Sequence, residues 1–428
     1  MIELLRQFAP SFLSRPGNIA LQVKSVLSKL LLCRIKTLGG HTYTCPPCGS
    51  SCQVYNSCGD RHCPQCAGAR RADWLDKTRE LLLPRVTYFH VVFTLPDRLS
   101  RLILGNRRVM YRLLFRSAWQ ALRHELRKQG IDPAALLVLH TWNQELGHHP
   151  HIHALVPGAG PSANSDNDPC WVVAKDPNWP NRREPFLVDI EQLGRTFRDR
   201  FVRGLGLLLR KDQLRLDHEF CQLHNTRVRA AWFKALRQFD WNVFISGPPN
   251  GESGPEQVLK YMARYLTGGP ISDARIVSQS GNEVTFLARN KDKSQGHPQV
   301  ERTISGIEFV RRWSLHILPK GFTRSRRYGG YHGSRRTGYL RSCRELLSLP
   351  APVAAAETGQ QPQEEASEAA QGPRCPKCKE RMVLLEHGLR PSWQDVFQGN
   401  AQHPPLVNFP WLHQSARQRH RHPHDPDG

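Results

Sequence analysis

ALLVLHTWNQELGHHPHIHALVP, residues 135–157, is the stretch on which the reading of this chain turns. Two apolar runs flank a polar centre. The first, ALLVLHTW (135–142), and the second, 150–157, both read as strands bounded by turn residues. Successive side chains of a strand alternate faces, so His151 and His153 share one face and Ile152 takes the other. Ile152, Ala154 and Val156 can then pack into a core while the two imidazoles approach one ion. Metal sites generally need a third ligand. If the two strands pair as a hairpin, His140 reaches the site, with Gln144 and Glu145 of the intervening loop as competitors. His148 and His149 are expected in the turn, facing solvent or DNA. A single strand histidine is usually structural, so this stretch alone leaves the role of a metal open.

The surroundings alternate strands with helices. ARRADWLDKTRELLLP (69–84) reads as a helix ended by Pro84, VTYFHVVFTLP (86–96) as a β-branched and aromatic strand, and 101–128 as an amphipathic helix. A Gly, Pro, Asn and Asp-rich segment, 158–185, reads as a surface loop or insertion. A basic helix is expected over 189–210, strands over 241–248 and 283–290, and a helix over 305–318. Residues 351–373 hold Ala, Gln and Glu without Lys or Arg, the composition of a disordered linker.

Among 428 residues, 60 are Lys or Arg against 37 acids, a formal charge of +23. Such a balance speaks of partners, with nucleic acid first and an anionic membrane surface as the rival. No run of about 18 apolar residues is present, so no membrane span is expected. The N-terminal MIELLRQFAPSFLSRPG lacks the basic start and apolar core of a signal peptide, which points to a reducing cytoplasm. There the 12 cysteines are better read as metal ligands than as disulfides.

CPPCGSSCQVYNSCGDRHCPQC, 45–66, supports that reading. Cys45, Cys48, Cys63 and Cys66 form two C-x2-C knuckles, which predict one tetrahedral structural zinc. Cys33, His41, Cys58 and His62 remain around it, as a second zinc site or as satisfied neighbours. Arg61, Arg70 and Arg71 would give the finger a basic face. CPKC at 375–378 has no second pair in its neighbourhood and reads equally as a metal knuckle or a plain turn.

Downstream, SGPEQVLKYMARYLTGGP (253–270) carries dense helix signals, with Pro255 and Glu256 in the first turn and Gly268 and Pro270 as a stop. Val258, Met262 and Leu266 line one face. Tyr261 and Tyr265 line an adjacent one, flanked by Lys260 and Arg264. A phenol beside cations can act as a nucleophile on phosphorus, because the cations favour the phenolate. By itself the spacing is more commonly helix packing. From Lys320 to Arg344 there are eight Lys or Arg and no acid, with Phe322, Tyr328, Tyr331 and Tyr339 interleaved. Cations alternating with rings suit single-stranded nucleic acid. Lys260, Arg264, Lys320, Arg324, Arg326, Arg327, Tyr328, Arg335 and Arg336 are the candidate DNA contacts.

Taken together, GGHTYTCPPC…YNSCGDRHCPQC, YFHVVFTLP, LHTWNQELGHHPHIHALVPGAG, GPEQVLKYMARYL and HILPKGFTRSRRYG resemble the HUH endonucleases. More closely, they resemble the two-tyrosine rolling-circle transposases of bacterial insertion sequences, the IS91 type. The segments occur in the family's order over roughly residues 30–330. The resemblance implies an α+β fold, with a mainly antiparallel sheet flanked by helices and preceded by a small zinc-binding domain. It implies Mg²⁺ or Mn²⁺ on His151 and His153, with His140 as third ligand by analogy with three-histidine nickases. Tyr261 and Tyr265 would form 5′-phosphotyrosine links with single-stranded DNA at element ends. LTGGP after Tyr265 departs from the family by lacking basic residues.

The expected organisation is a zinc-binding DNA-recognition domain over 1–84, a catalytic domain over 85–345, a linker over 346–373 and a tail over 374–428. The chain is expected to be cytoplasmic and nucleoid-associated. A replication initiator or relaxase-like nickase would share the chemistry without the cysteine array. A zinc-dependent DNA-binding protein without catalysis would tolerate loss of both tyrosines. A metal hydrolase would need an acidic base, for which Glu145 is the nearby candidate.

Overall fold

The computed structural model describes residues 1–163, 170–179, 185–239, 241–247, 257–260, 262–263, 268–290, 296, 298–350 and 372–400. Tyr261, Arg264, Tyr265 and Leu266 lie outside the described residues, as do 351–371 of the expected linker. The chain divides into two compact units that interleave along the sequence. One holds 72–271 and 318–351, the other 1–71, 272–317 and 352–428. The tail strand thus groups with the N-terminal residues, and 272–317 groups outside the unit that holds the histidines.

The histidine-bearing unit is built on a five-stranded antiparallel sheet. Its strands are β1 (Tyr88–Thr94), β2 (Ala134–Trp142), β3 (His148–Pro157), β4 (Val243–Ser246) and β5 (Ser325–Gly329), in spatial order β5-β2-β3-β1-β4. Both faces of its centre are covered, which is why β2 is an almost unbroken apolar run. On one face, Phe89, Val91, Phe93, Leu137, Leu139, Ile152 and Val156 pack with the helices α1 (Arg107–Lys128) and α2 (Ile190–Arg210) in a single core. Helix α2 starts at Asp189, whose carboxylate accepts from the Gln192 N–H, an N-cap that satisfies an otherwise orphaned donor. It approaches α1 so closely at Gly204 that a Cβ there would stand 2.3 Å from Leu113.

On the other face, Tyr88, Ala134, Leu136, Val138 and Leu155 form a second core with Leu81, Leu82, Val258, Leu259, Met262, Tyr331, Tyr339 and Cys343. Residues 257–260 and 262–263 are helical, so the segment around Tyr261 packs on this face through Val258 and Met262. Strand β5 leads into helix Arg336–Leu346. Gly329, at φ 60°, ends that strand where a Cβ would overlap the Pro133 carbonyl. Phe322, Tyr331 and Tyr339 are buried, and Tyr328 stacks on Trp119 at 5.4 Å. Phe322, Tyr331 and Tyr339 therefore pack within the unit, where they cannot alternate with cations to receive bases, while Tyr328 is only partly covered. The insertion at 158–185 holds a short antiparallel pair, Ala159–Pro161 with Trp171–Val173.

The other unit contains helices Ile2–Leu13 and Leu21–Leu31, which pack together, and helix Gly306–Ser314. Ser305 caps the last of these by accepting from Glu308 N–H. A three-stranded antiparallel sheet orders Gln299–Ser305, Glu283–Arg289 and Ile276–Ser280. In its central strand Val284, Phe286 and Ala288 are buried and alternate with more exposed residues, the period of a half-covered sheet. A second three-stranded sheet orders Val383–His387, Gly40–Thr44 and Ser51–Tyr55. Its outer strand comes from the tail, with His387 opposite His41 and Val383 opposite Thr44.

Ile152 is fully buried between the two histidines, on the opposite face. Ile152→Ala is expected to remove about 2–5 kcal/mol of stability through the lost contacts and the cavity. Calorimetry would detect this as a lowered transition for the unit, and an unchanged transition would contradict the packing described.

Candidate functional site

The site follows from strand register. His140 of β2 stands directly opposite His151 of β3, and His153 lies opposite Val138 of β2 and Val92 of β1. Residues directly opposite in an antiparallel pair share a face, so the three imidazoles converge. Their ring centroids lie 4.3 Å (His140–His153), 4.9 Å (His151–His153) and 5.4 Å (His140–His151) apart. One nitrogen from each lies within 4.8 Å of the other two, close enough for one ion at metal–nitrogen distances of about 2.1 Å after small rotamer adjustments.

Hydrogen bonds set which nitrogen each ring can offer. His151 Nδ1 lies 2.8 Å from the His149 carbonyl. A carbonyl only accepts, so Nδ1 carries the proton and Nε2 keeps its lone pair for a ligand. His153 Nδ1 lies 2.7 Å from His90 Nε2, with the two rings stacked at 5.0 Å. His90 thus positions His153 from the neighbouring strand. In the sequence a lone histidine in an apolar strand looks like core. Its signal exists only in register, since His90 falls opposite Leu155, two residues from His153.

Burial keeps these rings neutral, the state a metal ligand requires. It pulls His151 down from 6.5 to about 4 and His90 to about 4. His153 falls to about 2, mainly through burial, with His151, His90 and Arg324 adding repulsion. The donor set suits a divalent ion of the Mn²⁺ or Zn²⁺ kind better than Mg²⁺, which prefers oxygen.

Arg324 stands beside this cluster. Its guanidinium donates to the Leu139 carbonyl at 3.3 Å and the Gly268 carbonyl at 2.6 Å, and lies 5.1 Å from the Trp142 ring centre. A cation from β5's approach therefore reaches the LTGGP segment, whose own sequence has none. His148 and His149 are not free turn residues. Both belong to β3, with His148 Nε2 2.9 Å from the Tyr111 hydroxyl and His149 Nδ1 2.7 Å from Asp97. Glu145 is outside the histidine cluster. It lies in a turn where the Asn143 side chain accepts from the Glu145 and Gly147 N–H groups.

The candidate DNA contacts divide by exposure. Lys260, Lys320 and Arg335 are exposed, and Arg324, Arg326, Arg327, Tyr328 and Arg336 are partly covered. Arg326 lies over the Phe115 and Phe322 rings at 4.4 and 4.9 Å, Arg335 pairs with Asp132 at 2.6 Å, and Arg336 approaches Glu80 at 3.9 Å. An open groove lined by Trp74, Ser325, Arg327, Tyr328 and His332 runs along the edge strand β5.

The cysteines assemble differently from the expectation. Cys45, Cys48, Cys63 and Cys66 do not meet as one set. Cys63 and Cys66 join Cys33 and Cys58, whereas Cys45 and Cys48 join Cys375 and Cys378. In the first cluster the sulfur separations are 3.5 Å (Cys33–Cys66), 3.5 Å (Cys33–Cys63) and 3.6 Å (Cys58–Cys66). The hairpin of Gly40–Thr44 and Ser51–Tyr55 carries Cys45 and Cys48 at its turn, away from the loop of Cys58, Cys63 and Cys66. His41 and His62 enter neither cluster: His41 stacks on His387 at 4.7 Å, and His62 pairs with Asp60 at 2.9 Å.

The depressed histidines fix a pH dependence. Free histidine titrates near 6.5, so below that pH the unfolded chain takes up protons that the folded one excludes until about pH 4. Stability present above pH 6.5 is therefore lost as pH falls through this window. Metal-free protein is expected to melt at a falling temperature from pH 6.5 to 4, with a shallower fall in His90→Gln. A melting temperature equally pH-dependent in that variant would contradict the assignment.

Comparisons with known proteins agree with this organisation. Residues 135–338 match the family described as "Putative transposase", and residues 4–95 match the transposase zinc-binding domain family. The chain is 35% identical over 393 residues to "Putative transposase y4qJ" of Sinorhizobium fredii, covering 90% of this chain and 94% of that protein. It is 27% identical over 403 residues to the transposase for insertion sequence element IS801 of Pseudomonas savastanoi pv. phaseolicola, covering 89% and 92%. No solved structure matches the chain. A zinc-binding N-terminal region, a mainly antiparallel sheet and near full-length similarity to these relatives agree, and the chain belongs to the IS91-type transposases.

Proposed function

We propose that this transposase cleaves and rejoins single-stranded DNA at insertion-sequence ends through a 5′-phosphotyrosine intermediate. Tyr261 and Tyr265 are the nucleophiles, and His140, His151 and His153 are the ligands of a divalent ion, Mn²⁺ or Mg²⁺. The observation that carries this reading is that Val258, Leu259 and Met262, the residues around Tyr261, pack on the sheet face that bears the three histidines. In the sequence Tyr261 and Tyr265 are separated by three residues, the spacing at which two side chains of a helix are neighbours.

In the cleavage step the phenolic oxygen bonds to phosphorus and the bond from phosphorus to the 3′ oxygen breaks. The phenolic proton is, in net, transferred to the 3′ oxygen, leaving a free 3′-OH. Rejoining reverses these bonds with a 3′-OH from another strand. A phenol of ordinary pKa about 10 needs help to ionise at neutral pH. Arg324, bonded to Gly268 just beyond the tyrosine segment, and the exposed Lys260 favour the phenolate. A divalent ion on the histidines would act as a Lewis acid toward the scissile phosphate. The His149 carbonyl holds His151 in the tautomer that leaves Nε2 for a ligand, and His90 orients the His153 ring through its Nδ1. Lys320, Arg327 and Arg336 supply charge for the phosphate backbone, so binding is expected to weaken steeply with salt. Element ends as substrate follow from the transposase of an insertion sequence to which the chain is similar.

Purified protein incubated with a labelled single strand carrying the element end, with Mn²⁺, is expected to give a protein–DNA band that survives denaturation. The Tyr261→Phe/Tyr265→Phe double variant should lose it by more than about 10³-fold, the scale of losing a nucleophile. His151→Ala should lose it while retaining single-strand binding. Tight binding with no covalent band at any metal or end sequence would overturn the proposal in favour of a non-catalytic DNA-binding role.

A further inference from the structure

We infer that Cys45, Cys48, Cys375 and Cys378 form a zinc site of their own, which joins the C-terminal tail to the N-terminal hairpin. The chain would then carry two structural zinc ions rather than one. The four thiols lie within 4.8 Å of one another. Their sulfur separations are 3.3 Å (Cys45–Cys378), 3.5 Å (Cys378–Cys48) and 3.6 Å (Cys48–Cys375). A disulfide would bring two sulfurs to about 2.05 Å. Four thiolates around zinc at about 2.3 Å stand about 3.8 Å apart, so the observed set needs only a slight expansion.

The backbone supplies independent support, because the two halves are built alike. In the first, the Gly49 N–H donates to the Cys45 carbonyl at 2.8 Å and the Cys45 N–H to the Ser50 carbonyl at 2.8 Å. In the second, the Lys379 N–H donates to the Cys375 carbonyl at 2.9 Å and the Cys375 N–H to the Glu380 carbonyl at 2.7 Å. The residue after each second cysteine is left-handed, Gly49 at φ 68° and Lys379 at φ 65°. Lysine rarely adopts that conformation, and here it sits where the matching knuckle uses glycine. Two such turns, each aiming a C-x2-C pair at the other, form a knuckle pair whose members are 330 positions apart.

The surrounding contacts hold the tail in place for this. Strand Val383–His387 pairs with Gly40–Thr44, and the Gly388 N–H donates to the Gly40 carbonyl at 2.8 Å. Arg390 donates to the Cys58 carbonyl at 3.2 Å, beside the first thiol cluster, and the Lys29 ammonium lies 5.3 Å from the Trp393 ring centre. The sheet that carries the second site is therefore incomplete without the tail, and the tail also touches the loop that carries the first.

The site makes a prediction for the unmodified protein. Cys48 and Cys378 are exposed, as are Cys170 and Cys221, which belong to neither cluster. A zinc-bound thiolate resists alkylation, whereas an exposed free thiol reacts quickly. With brief iodoacetamide labelling read by mass spectrometry, Cys48 and Cys378 should label at least about tenfold more slowly than Cys170 and Cys221. They should gain reactivity together once a chelator removes metal. Elemental analysis should find at least two zinc ions per chain, with one fewer in Cys375→Ser/Cys378→Ser. Labelling of Cys48 and Cys378 as fast as the two control thiols, or a single zinc in the unmodified protein, would overturn the inference. The labelling arm uses unmodified protein and so decides even if the double variant fails to fold. Neither arm involves DNA cleavage, so failure here is distinct from failure of the proposed chemistry.

Discussion

The pairing of β2 with β3 in the register that sets His140 against His151 is the constraint on which the site depends. A slip of one residue would send every side chain of a strand to the opposite face. Ile152, Ala154 and Val156 would then leave the core they share with α1 and α2, and the histidines would enter it. Apolar burial on one face thus fixes where the imidazoles stand on the other. The same lock explains why a site of neutral, desolvated rings can persist without a carboxylate among its described ligands. The cost of holding His151 and His153 uncharged is offset by the apolar burial that this register secures.

Around this lock the other groups act by orientation. The His149 carbonyl and His90 each occupy the Nδ1 side of a ring in the cluster, so that Nε2 is the nitrogen each would turn to the proposed metal. Arg324 ties together the carbonyls of Leu139, next to His140, and Gly268, next to the tyrosine segment. One guanidinium therefore spans the strand of His140 and the segment end, and adds positive charge where the proposed chemistry would bring phosphate. Arg326 and Arg335, by contrast, are engaged with rings and with Asp132, so a basic sequence stretch divides into cations that pack and cations that face outward.

Much of this was legible in local pattern. The alternation around Ile152, the hairpin that delivers His140, the helices over 107–128 and 190–210 and the family likeness are all properties of short segments. What could not be read is pairing at a distance. The C-x2-C spacing identifies a knuckle but says nothing about which knuckle it faces, so sequence proximity points Cys45 and Cys48 to Cys63 and Cys66 although the fold brings them to Cys375 and Cys378. His90 is solitary in sequence and acquires meaning only when strand register brings it to His153. The rings Phe322, Tyr331 and Tyr339 misled for a related reason. Aromatic residues spaced among arginines have the same signature whether they stack bases or pack a partly covered strand and helix, and burial alone separates the two.

The strand Val383–His387 gives the hairpin at Gly40–Thr44 its outer neighbour, and this has a consequence for synthesis. Cys48 leaves the ribosome 327 positions before Cys375. At about 5–20 residues per second the hairpin waits roughly 15–65 s for its last strand. Throughout that time its edge is open and two thiols lack their counterparts. Any message that ends early, through a frameshift or a premature stop, releases a chain whose N-terminal sheet can never close. Completion of translation is thereby written into the architecture of the first domain, and a shortened copy would betray itself at its beginning.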